Sequence, residues 1–173
     1  LGAYLPPSIV STAEVMRNCK HPSSLQLERL TGIRNRRMAG DDEFSIDLAQ
    51  RAIEKCLAIS KYKPSDIDLV ICCNMSRYDG PRFYYSVEPS TSTRLRKHFR
   101  FDRALTLAVG NACAGLFTTV KIVDALLKSG LIDVAMVVSG VHITHLTQTA
   151  QREITDSPDP RPAFLRRGAP AGA

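Results

Sequence analysis

The chain has no tryptophan, and aromatic residues make up only 6% of it. These few are not interleaved with the basic residues in a stacking pattern, so the sequence lacks the signature of a nucleic-acid-binding surface. Long apolar runs are missing too. The longest, Leu69–Cys73 and Val134–Val138, fall far short of the ~20 residues a membrane helix needs, so no membrane span is expected. The chain does not open on a basic segment followed by an apolar one, so no secretion signal is expected. The five cysteines are an odd count with no Cys-x-x-Cys pair. They lack the spacing of a zinc site or a disulfide framework, and no metal site is expected. Such usage fits a reducing, cytoplasmic location.

What is present is ordinary for a globular protein: 173 residues, 44% apolar and 23% charged, enough for one domain with a sizeable core. The 23 basic residues exceed the 17 acidic ones, a net charge of +6 that weakly favours acidic partners. Short apolar runs alternate with amphipathic stretches, which predicts an α/β fold with a mixed, mostly parallel sheet covered by helices.

Ser11 and Glu14 form a capping-box pair, so a helix is expected from Thr12 to about Cys19. Ile46, Ala49, Ile53, Cys56 and Leu57 recur at helical spacing over residues 44–60. Ile67–Asn74, with no alternation, reads as a strand buried on both faces, and Cys72 and Cys73 as core. Asp79–Pro89 reads as a loop whose Phe83-Tyr84-Tyr85 cluster suits a pocket or interface. A basic helix is expected over Ser90–Phe99 and a second buried strand over Leu105–Val109. The helix that follows runs to Lys128, with Leu116, Val120, Val123 and Leu127 on one face and Gly130 as a left-handed cap. Val134–Ser139 is the next strand. Pro158, Pro160 and Pro162 mark a change of character after Ile154, which divides the chain into a domain over 1–155 and an atypical tail over 156–173.

Cys113 is the residue best placed for chemistry. It lies where a strand turns sharply into a helix, between Gly110 and Ala114-Gly115. Small neighbours permit a tight turn and close approach to the sulfur. A thiol at a helix N-terminus faces unpaired N–H groups and the positive end of the dipole, both of which favour the nucleophilic thiolate. This is a nucleophile elbow with Cys in place of Ser, although a small buried cysteine at a helix start would read the same way.

Asn111-Ala112-Cys113-Ala114-Gly115-Leu116-Phe117 resembles the active-site segment of the 3-oxoacyl-acyl carrier protein synthase III family, within the thiolase-like superfamily. Three further segments agree in order. Gly2-Ala3-Tyr4-Leu5-Pro6 resembles the family's opening strand and turn, and Thr31-Gly32-Ile33-Arg34-Asn35-Arg36-Arg37 its Thr-Gly-Ile-x-x-Arg segment. Asp66–Ile71 with Pro89-Ser90-Thr91 resembles the strand and loop before the nucleophile.

The resemblance implies a thiolase-like βαβαβ half and a decarboxylating Claisen condensation in fatty-acid or secondary-metabolite synthesis. Cys113 would take an acyl group from a thioester, and the carbanion of a malonyl-thioester would then attack it. Thr31, Arg34, Arg36, Asn111 and Phe117 would contact substrate. No cofactor is implied beyond the coenzyme A or acyl carrier protein thioesters that serve as substrates. The implied partners are an acyl carrier protein and a second copy of the chain in a homodimer.

The resemblance also marks departures. The family's second half, with its catalytic His and Asn, has no counterpart. Where a Gly-Asp-Gly-Ala-Gly-Ala-like strand would continue, Ala169 and Pro170 stand instead, as expected of a fragment, a changed reading frame or a fold completed by a partner chain. The alternative function is therefore an incomplete or non-catalytic thiolase-fold subunit. Gln26 and Leu30 replace the Trp and Arg that hold the coenzyme A nucleotide, with Arg29 one position off. Glu88 replaces an aromatic residue of the acyl pocket. A specialised member is expected: a secondary-metabolite synthase, an acyltransferase or a long-chain head-to-head condensing enzyme. Arg94, Arg96, Lys97, Arg100 and Arg103 read equally as a carrier-docking stretch or a solvated face. His142 and His145 lack a third ligand partner and read as a loop lining the mouth of the site.

Overall fold

A computed structural model of the chain describes residues 1–18, 26–79, 84–85 and 88–156. In chain order the elements are β1 (Ser8–Ser11), α1 (Thr12–Arg17), α2 (Leu27–Thr31), β2 (Asn35–Met38) and α3 (Ser45–Ala58). There follow β3 (Leu69–Cys72), β4 (Tyr78–Asp79), β5 (Tyr84–Tyr85), α4 (Thr91–Phe99), β6 (Leu105–Ala108), α5 (Gly115–Lys128), β7 (Ala135–Val138) and α6 (Thr144–Asp156). They fall into two compact units. One joins Leu1–Tyr4 to Asp41–His142, and the other joins Leu5–Gly40 to the residues from Ile143 onward. The tail over 157–173, including Ala169 and Pro170, and residues Cys19, Gly80, Pro81 and Phe83 lie outside the described residues. No helix among the described residues is long and apolar enough to cross a membrane.

The larger unit is built around β3. This strand pairs in parallel with β6 on one side and β7 on the other. Its four residues are at most 4% exposed, which explains the absence of polar alternation. Successive side chains of a strand point to opposite faces, and the core divides accordingly. Val70 and Cys72 join Ile46, Ala49 and Ile53 of α3, Leu95 of α4, and Phe101. Leu69 and Ile71 join Val123 of α5 and Ile132 on the other face.

Asp68 ties the start of the sheet together. Its carboxylate accepts from the backbone N–H groups of Asp133 (2.9 Å) and Val134 (3.0 Å) and pairs with Arg103. The two backbone donors hold its pKa below the ordinary carboxylate value, assisted by the Arg103 charge. At the opposite end, a Cβ on Gly140 would overlap the Ser45 carbonyl and the Ala49 methyl, so only glycine lets the chain after β7 approach α3 this closely.

In the smaller unit β1 and β2 pair antiparallel. Ser11 caps α1 by accepting from the Glu14 N–H at 3.1 Å, as the Ser-x-x-Glu spacing predicts. Thr12 donates its hydroxyl to the Ile33 carbonyl at 2.6 Å. The α6 residues Thr144 and Gln151 bond the backbone of Ala39 and Val15.

Four expectations change. The family-like opening strand is absent at Leu1–Pro6, and β1 begins only at Ser8. The expected loop over Asp79–Pro89 begins at the end of β4 and contains its partner β5, because two tyrosine-bearing segments form a short local ladder. The strand β6 is not buried: it lies at the edge of the sheet, leaving Leu105 69% and Leu107 41% exposed. Helix α5 turns Gly115, Thr119 and Val123 inward and leaves Leu116, Val120 and Leu127 exposed, so of the predicted apolar face only Val123 is core. Gly130 has the predicted left-handed backbone, with φ of 71°.

Two stability measurements follow. Gly140→Ala is expected to cost about 1–3 kcal/mol, since the clash is with a backbone carbonyl that cannot rotate away; urea denaturation reads this out. The depressed Asp68 pKa means its charged form stabilises the fold above about pH 4, an effect lost as pH falls through the folded-state pKa. Asp68→Asn should lower the thermal midpoint at about pH 7 and narrow the gap between midpoints at about pH 7 and about pH 3, measured by circular dichroism.

Candidate active site

Three chain segments leave the carboxyl ends of the parallel strands together: Cys73–Ser76 after β3, Val109–Cys113 after β6 and Ser139–His142 after β7. This is the end of a parallel α/β sheet at which ligands bind. Hydrogen bonds lace the segments to one another. The Cys73 N–H donates to the Val138 carbonyl at 3.0 Å and the Val109 N–H to the Cys72 carbonyl at 2.8 Å. Asn74 Oδ1 accepts from the Gly140 N–H at 2.7 Å, and Ser76 Oγ from the His142 N–H at 2.8 Å.

Cys113 stands at the centre of a single 3-10 turn, Ala112–Ala114, that leads directly into α5. Ala112 has a φ of +42°, a left-handed conformation that costs a residue with a Cβ roughly 1–2 kcal/mol. The turn is clamped on either side of that strain. The Ala114 N–H donates to the Asn111 carbonyl at 2.9 Å, and Asn111 Nδ2 donates to Thr118 Oγ1 at 2.7 Å. A Cβ on Gly115 would come within 3.1 Å of the Cys73 carbonyl, so glycine lets the first turn of α5 settle against the end of β3.

The result is an exposed thiol. Its Sγ lies 3.9 Å from Met75 Sδ; Leu116 and Phe117 are exposed beside it in sequence. Cys72 and Cys73 are buried and Cys56 is partly buried. Burial pushes the Cys73 thiol pKa up, against hydrogen bonds that lower it, which keeps that sulfur neutral and unreactive. Backbone strain thus lies next to an accessible thiol, as at sites where strain serves function.

The structure brings Asn111, Cys113 and Phe117 into one strand–turn–helix segment of the larger unit. Thr31, Arg34 and Arg36 belong to the smaller unit. Thr31 ends α2: its hydroxyl donates to the Leu27 carbonyl at 2.7 Å and accepts from the Ile33 N–H at 3.2 Å, while Gly32 takes the left-handed φ of 73°. Arg34 is exposed, 3.6 Å from Glu28. Arg36 Nη2 donates to Thr12 Oγ1 at 3.3 Å, and burial lowers its pKa. Gln26, Glu28, Arg29, Gly32 and Arg34 line a shallow surface depression.

His142 does not line an open mouth. It is 3% exposed, stacks on Phe44 with ring centroids 6.2 Å apart, and burial lowers its pKa. His145 lies in α6. Among the described residues no three His, Cys, Asp or Glu side chains gather as a metal site would require. Of the basic stretch, Arg103 pairs with Asp68 and Arg96 donates to the Asp102 carbonyl at 2.9 Å, so these two brace the fold. Met75 is the site residue that sequence reasoning missed; its only signal was its place just past the carboxyl end of a buried strand.

An α/β unit with an exposed cysteine on the turn at the carboxyl end of its parallel sheet is the architecture of one half of a thiolase-like protein. No protein-family model matches the chain, but its curated relatives are consistent. It is 30% identical over 131 residues to the β-ketoacyl-acyl-carrier-protein synthase III of Aliarcobacter butzleri, covering 76% of this chain and 37% of that protein. To the synthase III of Rickettsia bellii it is 26% identical over 151 residues, covering 87% of this chain and 45% of that protein. Among solved structures, a priming β-ketosynthase from a polyketide biosynthetic pathway superposes with a TM-score of 0.72 at 27% identity, covering 83% of this chain and 40% of that one. OleA of Xanthomonas campestris superposes with a TM-score of 0.80 at 25% identity, covering 91% and 46%. The chain is a homologue of the β-ketoacyl-acyl-carrier-protein synthase III proteins and matches an N-terminal half of their fold. It spans less than half the length of these relatives.

Accessibility is directly measurable. On the native protein, iodoacetamide should alkylate Cys113 ahead of Cys56 and leave Cys72 and Cys73 unmodified until the chain is unfolded, as read by peptide mapping.

Proposed function

We propose that the chain forms the nucleophile-bearing half of a condensing acyltransferase of fatty-acid or polyketide synthesis. The observation that carries this reading is the exposed Cys113 thiol on a strained turn at the carboxyl end of the parallel sheet, in a homologue of the synthase III proteins. In the first step the Cys113 thiolate attacks the carbonyl carbon of an acyl-coenzyme A or acyl-carrier thioester. The new C–S bond forms as the old one breaks, and the departing thiolate takes up a proton. One thioester replaces another, so the step needs no external energy source. In the second step a malonyl-thioester loses carbon dioxide and its carbanion attacks the acyl-Cys113 carbonyl. A carbon–carbon bond forms and the Cys113 thiolate leaves.

In this proposal Asn111 and Phe117 border the acyl group. Arg34, with its exposed guanidinium, meets the phosphates of a coenzyme A or carrier arm. Thr31 and Arg36 act through the backbone that presents Arg34, since the Thr31 hydroxyl and Arg36 Nη2 are bonded within the smaller unit. In this proposal the His and Asn that assist decarboxylation come from outside these 173 residues. So does the cover for its open side: the free edge of β6 and the exposed Leu105, Leu107, Leu116, Val120 and Leu127 call for the second half of the fold or another copy of the chain. Arg94 and Lys97 are the proposed contacts for an acidic carrier protein. The cytoplasm is the proposed location, matching the thioester pools that the reaction draws on.

Intact mass before and after incubation with a panel of acyl-coenzyme A thioesters tests the reading. A mass gain equal to one acyl group is expected, and it should be abolished in Cys113→Ala. A folded chain that gains no acyl group from any thioester would instead support an incomplete subunit that needs a partner chain.

A further inference from the structure

The Met75 thioether sulfur lies 3.9 Å from the Cys113 sulfur. Met75 is also 40% exposed, so it shares with the thiol the surface that solvent, and hence substrate, can reach. Its backbone is held in place on both sides. Asn74 and Ser76 are each 4% exposed, and their side chains bond the Gly140 and His142 N–H groups at 2.7 and 2.8 Å. Met75 therefore cannot withdraw from the thiol by moving its main chain; only its own side-chain rotamers can make room.

That position has a chemical consequence. When Cys113 carries an acyl group, the carbonyl and the carbon beyond it lie within a bond or two of Sγ, which is the zone the Met75 thioether already borders. A straight chain leaves along one direction, and a flexible, unbranched thioether can turn aside to let it pass. A substituent on the carbon next to the carbonyl projects in a second direction and must displace the thioether outright. We infer that Met75 is a specificity-determining residue that makes Cys113 select straight-chain acyl thioesters over those branched at the carbon beside the carbonyl. The inference rests on the proposed acylation of Cys113.

The test compares butyryl- and isobutyryl-coenzyme A, isomers of equal mass and charge, in separate time courses read by intact mass. The wild-type chain should acylate with butyryl about tenfold faster, the scale on which a single carbon is discriminated in a shaped apolar site. Met75→Ala and Met75→Ser should erase most of that preference by speeding the isobutyryl reaction. Met75→Leu, of similar volume, should keep it. Two small variants guard against loss of fold in either one, and iodoacetamide labelling of Cys113 confirms that the thiol remains available. A butyryl-to-isobutyryl ratio unchanged in both small variants, or both rates slowed equally, would overturn the inference while leaving Cys113 acylation intact. So would a Leu variant that loses the preference as the Ala variant does. Absence of any adduct on a wild-type chain whose Cys113 is alkylated normally would instead bring down the acylation reading and this inference with it.

Discussion

Everything in the larger unit depends on burying β3 on both faces. A four-residue strand with Leu69, Val70, Ile71 and Cys72 all nearly inaccessible exposes no polar side chain and must be covered above and below. Helices α3 and α4 supply one cover and α5 the other. Once β3 is central, its two parallel neighbours and the directions of their carboxyl ends follow. The three segments that leave those ends are then forced to share one edge of the sheet, and Cys113 sits on one of them.

The Ala112–Ala114 turn shows how rigid surroundings sustain local strain. Ala112 adopts a backbone conformation unfavourable for any residue with a Cβ. It is kept there by an Asn111 that reaches forward to Thr118 and by a Gly115 that lets α5 dock on the end of β3. Thr119 and Val123, one and two turns further on, anchor the same face of the helix in the core. The thiol is presented outward because the residues on either side of it are fastened inward. The buried Cys73, a short distance away in the same sheet end, illustrates the alternative: a sulfur kept neutral by desolvation.

The open flank of the unit has an equally simple origin. Among the described residues strand β6 has a strand partner on one side only, which leaves the other edge open to pairing. The apolar residues on β6 and on the outer face of α5 are those a larger assembly would bury. The chain spans less than half the length of the relatives it matches.

Much of the local structure was legible in the residues. The Ser11–Glu14 spacing marks the start of α1, the unbroken apolar run marks β3, the 3.6-residue period marks α3, and Gly130 marks the end of α5. Each depends on chemistry within a few neighbouring residues. The run Asn111–Phe117 likewise announced a tight turn, because small residues around a helix-start cysteine are a local signature. Other features were decided only by tertiary structure. Leu105–Ala108 reads as a buried strand because an apolar run does not say how many neighbours a strand will have. Leu116, Val120 and Leu127 read as core because helical period finds an apolar face without revealing whether anything covers it. His142 and Met75 exchanged the roles their types suggest: the imidazole is packed against Phe44, and the thioether is exposed beside the thiol. Residues 38 positions apart in sequence, Met75 and Cys113, meet because two parallel strands end side by side. That proximity is set by strand order, which no local pattern encodes.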